Sequence, residues 1–343
     1  MDFQTWRETK AKPLATWAAG PASKAIVQTF ARFKTRAEVR RVDIGPATVH
    51  FTIAYGVSQS VGAVLSRESD LALALGVDPD QASMAQTRRG VVLSIPSPEP
   101  YDVTRADLED GRGLVIPLGV TADGWETYHL PFSETVTNLL IVAPTRTGKT
   151  TLLRTLIYGL AAQNSERKLQ LTLVDLKGDP ALGEFGNLAH LRYPIATNAA
   201  DAVAVLQDLA GEVERRIANG ARRPAHVFVV IDEVIALVQN RQYGQLATEA
   251  LTPILTRGGG LGIFTVATTQ RADKRSLSDP LIASQFVHRL VGKVASGQES
   301  ALAAGQAGID AHKLLGRGDF IAKVGGDVVR VQIAQTPAAL IHK

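Results

Sequence analysis

Gly148-Lys149-Thr150 stands at the junction of an apolar run and an apolar-periodic segment, with Ala143, Pro144, Thr145, Arg146 and Thr147 ahead of it and Thr151 behind. Backbone N–H groups of such a turn, and the positive end of the helix that follows, can hold a triphosphate. The Lys149 ammonium can reach its β and γ oxygens, and the Thr150 hydroxyl can ligate Mg²⁺. Residues 143–151 are therefore the expected ATP-binding set. The usual pattern opens with glycine, and here Ala143 opens it. One added methyl group at a point of close backbone approach is read as tolerated.

A second pair of side chains supplies the rest of the chemistry. Asp232 and Glu233 end the apolar run 227–231, and two adjacent carboxylates at the end of a buried strand are costly without a cation nearby. Asp232 is the expected organiser of the Mg²⁺ shell, and Glu233 the base that polarises the water attacking the γ-phosphate. Acids also suit a helix N-terminus, but the phosphate loop upstream favours the catalytic reading. Gln270, at the end of a further apolar run, is placed to sense the γ-phosphate.

These residues need a sheet whose strand ends converge. The pattern predicts strands at 138–142, 171–175, 227–231, 263–268 and 286–292, a helix over Ala199–Ala218, and a hairpin of 319–324 with 328–333 around Gly325-Gly326-Asp327. That alternation is the signature of an α/β fold with a mostly parallel, doubly wound sheet. Upstream, 36–112 reads as a smaller α/β domain. Residues 1–35 read as a helical arm anchored by Trp6, Trp17, Ile26, Val27, Phe30 and Phe33, and the ATPase domain spans 113–343.

Composition sets further bounds. A chain of 343 residues exceeds what one core usually fills. It has no cysteine, which excludes disulfides and thiolate metal sites. No apolar run approaches the roughly 20 residues of a membrane span, and the N-terminus has no continuous apolar stretch of the kind a signal peptide needs. ATP chemistry favours the cytoplasm. A net charge of +4 suits a polyanionic partner without demonstrating one.

With the phosphate loop, LVDLKGDPAL, VIDEV and TVATTQRAD in order, the chain resembles the motor of the FtsK/SpoIIIE family of hexameric DNA translocases. Asp175-Leu176-Lys177 matches the family's DPK segment, and Glu212-Val213-Glu214-Arg215-Arg216 its EMERR-like helix end. Gln270-Arg271 matches its ATQR strand end, Arg289 its PTRI arginine, and Leu314-Leu315-Gly316-Arg317-Gly318-Asp319 its LLGxGD ending. VDIGPATVHFTIAYGV is similar to the GPxVTRFEL opening of the domain that precedes the motor. The resemblance covers about residues 38 to 335. It implies a RecA-like P-loop NTPase that hydrolyses ATP with Mg²⁺, forms a hexameric ring and moves double-stranded DNA.

Two departures qualify that expectation. Where the family carries a candidate trans-acting arginine, this chain has Gly259, and Arg257 is the nearest substitute finger. With no winged-helix segment before Lys343 and no membrane span, a minimal soluble motor is expected, serving a plasmid, phage or conjugative element. DNA contacts are expected at Arg271, Lys274 and Arg275, directly after the Gln270 strand. The cluster Arg215, Arg216, Arg222 and Arg223 reads rather as a solvated face. A helicase on single-stranded DNA and a coupling ATPase for conjugative transfer stay open as alternatives.

Overall fold

The structure is a computed structural model describing residues 1–343 apart from 57–58, 88–89, 179, 221–224, 278 and 338–343. It divides into two compact units. The first comprises Met1–Val103, Val120–Glu126 and Lys313–Leu315, and the second Thr104–Gly119, Thr127–His312 and Gly316–Lys343. Among the described residues no helix is long and apolar enough to cross a membrane.

In the first unit, strands β1 (Ala37–Ile44), β2 (Thr48–Tyr55), β3 (Ser83–Thr87) and β4 (Gly90–Pro96) form an antiparallel sheet in the order β1-β2-β4-β3. The N-terminal helical segment belongs to this unit's core. Leu14, Ala18, Ala22, Ile26 and Phe30 recur at every fourth position, are all buried, and pack with Phe51, Ile53, Leu93 and Ile95. An α-helix advances about 3.6 residues per turn, so a strict every-fourth stripe would wind slowly around it. The wider π turn at Ala18–Ala22, inside the stripe, takes up part of that drift and helps to keep the stripe on one face. The arm expected at 1–35 is thus integral to the small unit. Of its expected anchors, Val27 and Phe33 are exposed, and the small residues Ala18 and Ala22 carry the packing instead.

The second unit is built on a nine-stranded sheet ordered β6-β5-β13-β12-β11-β7-β10-β9-β8. Its strands are β5 (Val115–Thr121), β6 (Thr127–Pro131), β7 (Asn138–Val142), β8 (Leu169–Asp175), β9 (His226–Asp232), β10 (Ile263–Thr269), β11 (His288–Val291), β12 (Asp319–Val324) and β13 (Asp327–Ile333). At its heart β11, β7, β10, β9 and β8 are parallel neighbours, and β12 and β13 continue the sheet antiparallel. Strands β7 and β10 are buried throughout, as a parallel sheet covered on both faces requires. The order places the carboxyl ends of β7, β10 and β9 side by side. Crevices outside such strand ends are where open α/β sheets bind ligands.

Arg289 takes a structural role in this unit. It is buried and donates to the carbonyls of Phe286, Leu302 and Ala303 at 2.9 to 3.0 Å, while Lys323 donates to Ala304 at 3.1 Å. Together they satisfy the last carbonyls of the helix Gly297–Ala304, which have no partner within the helix. Burial holds the Arg289 guanidinium below its ordinary range, and burial together with the Arg289 charge does the same to Lys323.

Tyr128, on β6 against the large core, has its phenol pushed up to about 12 by burial and then by the negative charge of Asp327. The folded chain thus resists forming a phenolate that the unfolded chain forms near pH 10. Its contribution to stability is complete below pH 10 and is lost as the pH rises towards 12. Urea unfolding followed by circular dichroism is expected to show stability falling across that window, less steeply in Tyr128→Phe. An unchanged slope in the variant would refute the assignment.

Candidate nucleotide site

The turn from β7 into the helix Lys149–Gln163 carries two residues in the left-handed region, Arg146 at φ 68° and Gly148 at φ 108°. Gly148 has no room for a side chain, because a Cβ there would come within 2.7 Å of the Gly318 backbone nitrogen. That nitrogen donates to the Thr147 carbonyl at 2.8 Å, so the segment entering β12 braces the turn from behind. Ala143 is buried at the opposite end of the turn, has an ordinary φ, and is held by its N–H to the Thr269 carbonyl at 2.9 Å.

Lys149 donates its Nζ to Asp232 Oδ1, and both residues are buried. The Thr268 hydroxyl donates to the same oxygen at 2.6 Å. Asp232 Oδ2 is buried and has no hydrogen-bond partner among the described residues, an expensive condition for a carboxylate oxygen that a cation would relieve.

Glu233 follows at φ 60° and ψ 58°, a left-handed conformation rare for a side chain of this length and concentrated at functional sites. Its N–H donates to the Thr268 hydroxyl at 3.1 Å. Its carboxylate accepts from the Thr269 hydroxyl at 3.1 Å, from the Gln270 N–H at 3.2 Å and from Lys177 Nζ at 2.8 Å. The Gln270 side chain meets the Thr145 hydroxyl at 3.5 Å. Adjoining these groups is a cavity of about 520 Å³ lined by Thr145, Thr147, Gln270 and Lys293, within the range of small-ligand sites.

The structure thus brings together residues 143–151, Asp232, Glu233 and Gln270. It does not bring Arg257 to them. That arginine ends the helix Gly244–Arg257 and pairs with Glu214 on the helix Ala199–Ala218. Strand β10, seven residues long, separates that edge of the sheet from Gln270 by about 20 Å. Gly259 lies against Thr137, whose Cβ would be 2.5 Å from any Cβ added there.

Arg271, Lys274 and Arg275 are exposed and in no ion pair among the described residues. In the other basic cluster, Arg216 is buried rather than solvated. It donates to Glu212 at 2.9 Å, the Leu261 carbonyl at 2.7 Å and the Ala225 carbonyl at 2.9 Å. Arg215 is paired with Glu212 and Asp208, and Arg222 and Arg223 lie outside the described residues. Sequence reasoning missed Thr268, Thr269 and Lys177 as partners of the two carboxylates. The signal was present, since two hydroxyl residues end a mostly apolar strand immediately before Gln270.

A glycine-turned loop between a parallel strand and a helix, its lysine facing an Asp-Glu pair two strands away, defines a P-loop NTPase. The FtsK/SpoIIIE family profile matches residues 113–220 and the FtsK alpha domain profile residues 7–97. The chain belongs to the FtsK/SpoIIIE family, a family of P-loop ATPases. It is 27% identical over 355 residues to an FtsK-like protein of Nostoc sp., covering 91% of this chain and 47% of that protein. It is 24% identical over 331 residues to the DNA translocase FtsK of Lactiplantibacillus plantarum, covering 87% and 41%. The chain therefore spans less than half the length of these curated relatives. The conjugation coupling protein TcpA of pCW3, solved with ATPγS, has the same fold, with a TM-score of 0.61 at 17% identity over 92% of this chain and 95% of that one.

Proposed function

We propose that the chain is an ATP-driven motor that moves along double-stranded DNA as a cytoplasmic hexameric ring. One observation carries the reading. Gln270 touches Thr145 of the phosphate loop through its side chain and Glu233 through its N–H, and the exposed cations Arg271, Lys274 and Arg275 follow at once. A change at the γ-phosphate is one residue away from a basic segment suited to the DNA backbone, and phosphate contacts carry no sequence preference, as a motor that passes every sequence requires.

In this reading Lys149 exchanges Asp232 for the β and γ oxygens of ATP, Glu233 orients and deprotonates the attacking water, and Gln270 reports the state of the γ-phosphate. The unpartnered Asp232 Oδ2 and the Thr150 hydroxyl are hard oxygen donors that fit Mg²⁺. When bound, that ion neutralises charge on the phosphate oxygens. Arg257 sits too far from its own phosphate loop to act there, so a role as finger requires a neighbouring subunit's nucleotide. That requirement, with the resemblance, is the support for a ring.

The test is steady-state ATP hydrolysis without DNA, with long single strands and with blunt duplex, at two salt concentrations. Strong stimulation by duplex that weakens with salt is expected. Stimulation by single strands alone would replace the reading with a helicase, and none by either with a motor for protein cargo.

A further inference from the structure

Two lysines face the two carboxylates, and they differ in how they are held. Lys149 is buried on Asp232 and has an evident second partner in the phosphates. The Lys177 side chain is 40% exposed and reaches in from the surface to Glu233, whose side chain is 5% exposed. Lys177 is placed by its own backbone. It follows β8, whose Asp175 is in register with Asp232, and the Lys177 N–H donates to Asp175 Oδ1 at 3.1 Å. With Thr269 on one oxygen and Lys177 and Gln270 on the other, each oxygen of Glu233 already accepts a hydrogen bond. A carboxylate oxygen has few lone-pair directions, and one that accepts from an ammonium cannot turn that direction to a water.

We propose that Lys177 is a positioning residue that restrains Glu233 between turnovers, and that hydrolysis requires it to let go. The inference rests on the reading of Glu233 as the base. A restraint held by an exposed side chain is one that DNA bound nearby can release without disturbing the buried Lys149–Asp232 pair. In this scheme the low rate without DNA belongs to the restraint, and the stimulation by DNA is its removal.

The experiment compares kcat and KM for ATP in the wild type, Lys177→Met, Lys177→Ser and Lys177→Arg, each without DNA and with saturating duplex. The Met and Ser variants are expected to raise the DNA-free kcat about tenfold, the rate equivalent of one charge-assisted hydrogen bond, with KM little changed and the stimulation by DNA correspondingly reduced. Lys177→Arg is expected to keep the wild-type pattern. A DNA-free kcat that is unchanged or lowered in both the Met and Ser variants would overturn the restraint and make Lys177 an orienting partner instead. Absence of ATP hydrolysis by the wild type would instead overturn the motor reading itself, so the two failures are told apart.

Discussion

Lys149→Ala and Glu233→Gln are both expected to abolish ATP turnover, and only the first is expected to lose ATP binding. Glu233→Gln leaves the phosphate turn, Lys149 and Asp232 in place and keeps a side chain of the same shape, whose one amide oxygen can still accept from Thr269. What it removes is the proton acceptor for the attacking water, a loss of about 10²–10⁴ in kcat for general-base catalysis. Lys149→Ala removes an ammonium that would make charge-assisted hydrogen bonds to phosphate, a loss of about 10- to 100-fold or more in affinity. It also leaves Asp232 fully buried with Thr268 as its remaining donor. Removing one member of a buried ion pair costs about 3–5 kcal/mol, so this variant is expected to melt lower as well. Titration with a fluorescent ATP analogue beside steady-state hydrolysis checks the split, and equal loss of binding in the two variants would sink both assigned roles.

The parallel heart of the second unit was legible because each strand announces itself twice, by an apolar run and by what ends it. The expected strand 138–142 agrees with β7, and the expected 171–175, 227–231 and 263–268 lie inside β8, β9 and β10. The expected 286–292 overshoots β11 at both ends, because Phe286 closes the preceding helix and Val291 is the last residue in register with β7, Gly292 keeping only its N–H on the Val142 carbonyl. The convergence of the phosphate turn with Asp232, Glu233 and Gln270 was equally legible, since strand-end positions in a parallel sheet fall on one edge.

Partners set by tertiary register were not legible. Nothing local marks Arg216 as a buried donor to Leu261 and Ala225 rather than a surface cation, because its neighbour Arg215 has the same flanks and points to solvent. Glycine contacts are similarly hidden. Gly259 reads as a substitution of a functional arginine, while in the fold a Cβ added there would fall 2.1 Å from the Thr137 Cγ2, so the position has no room for a side chain. The every-fourth stripe of the N-terminal segment was not legible from its large apolar residues, because two of its members are the alanines Ala18 and Ala22.

The two ends of the phosphate loop are expected to answer substitution in opposite ways, and Gly148→Ala is the damaging one. At φ 108° an L side chain is strained by about 1–3 kcal/mol. The added methyl would also meet the Gly318 nitrogen at 2.7 Å and its Cα at 2.9 Å. These are backbone atoms, so relief requires moving either the turn or the entry to β12, and with it the 2.8 Å hydrogen bond from Gly318 to Thr147. Gly148→Ala is therefore expected to lower the melting temperature by about 5–10 °C, at roughly 2–4 °C per kcal/mol for a domain of this size, and to weaken ATP binding at least as much as Lys149→Ala does. Ala143→Gly, which restores the residue usual at the first position, removes only a methyl group from a site of ordinary φ and is expected to change stability by about 1 kcal/mol or less. Differential scanning calorimetry of the two variants with and without an ATP analogue separates strain from lost binding. An analogue that still stabilises Gly148→Ala as strongly as the wild type would show that the turn tolerates a side chain at Gly148 and that the brace from Gly318 is not needed for the phosphate site.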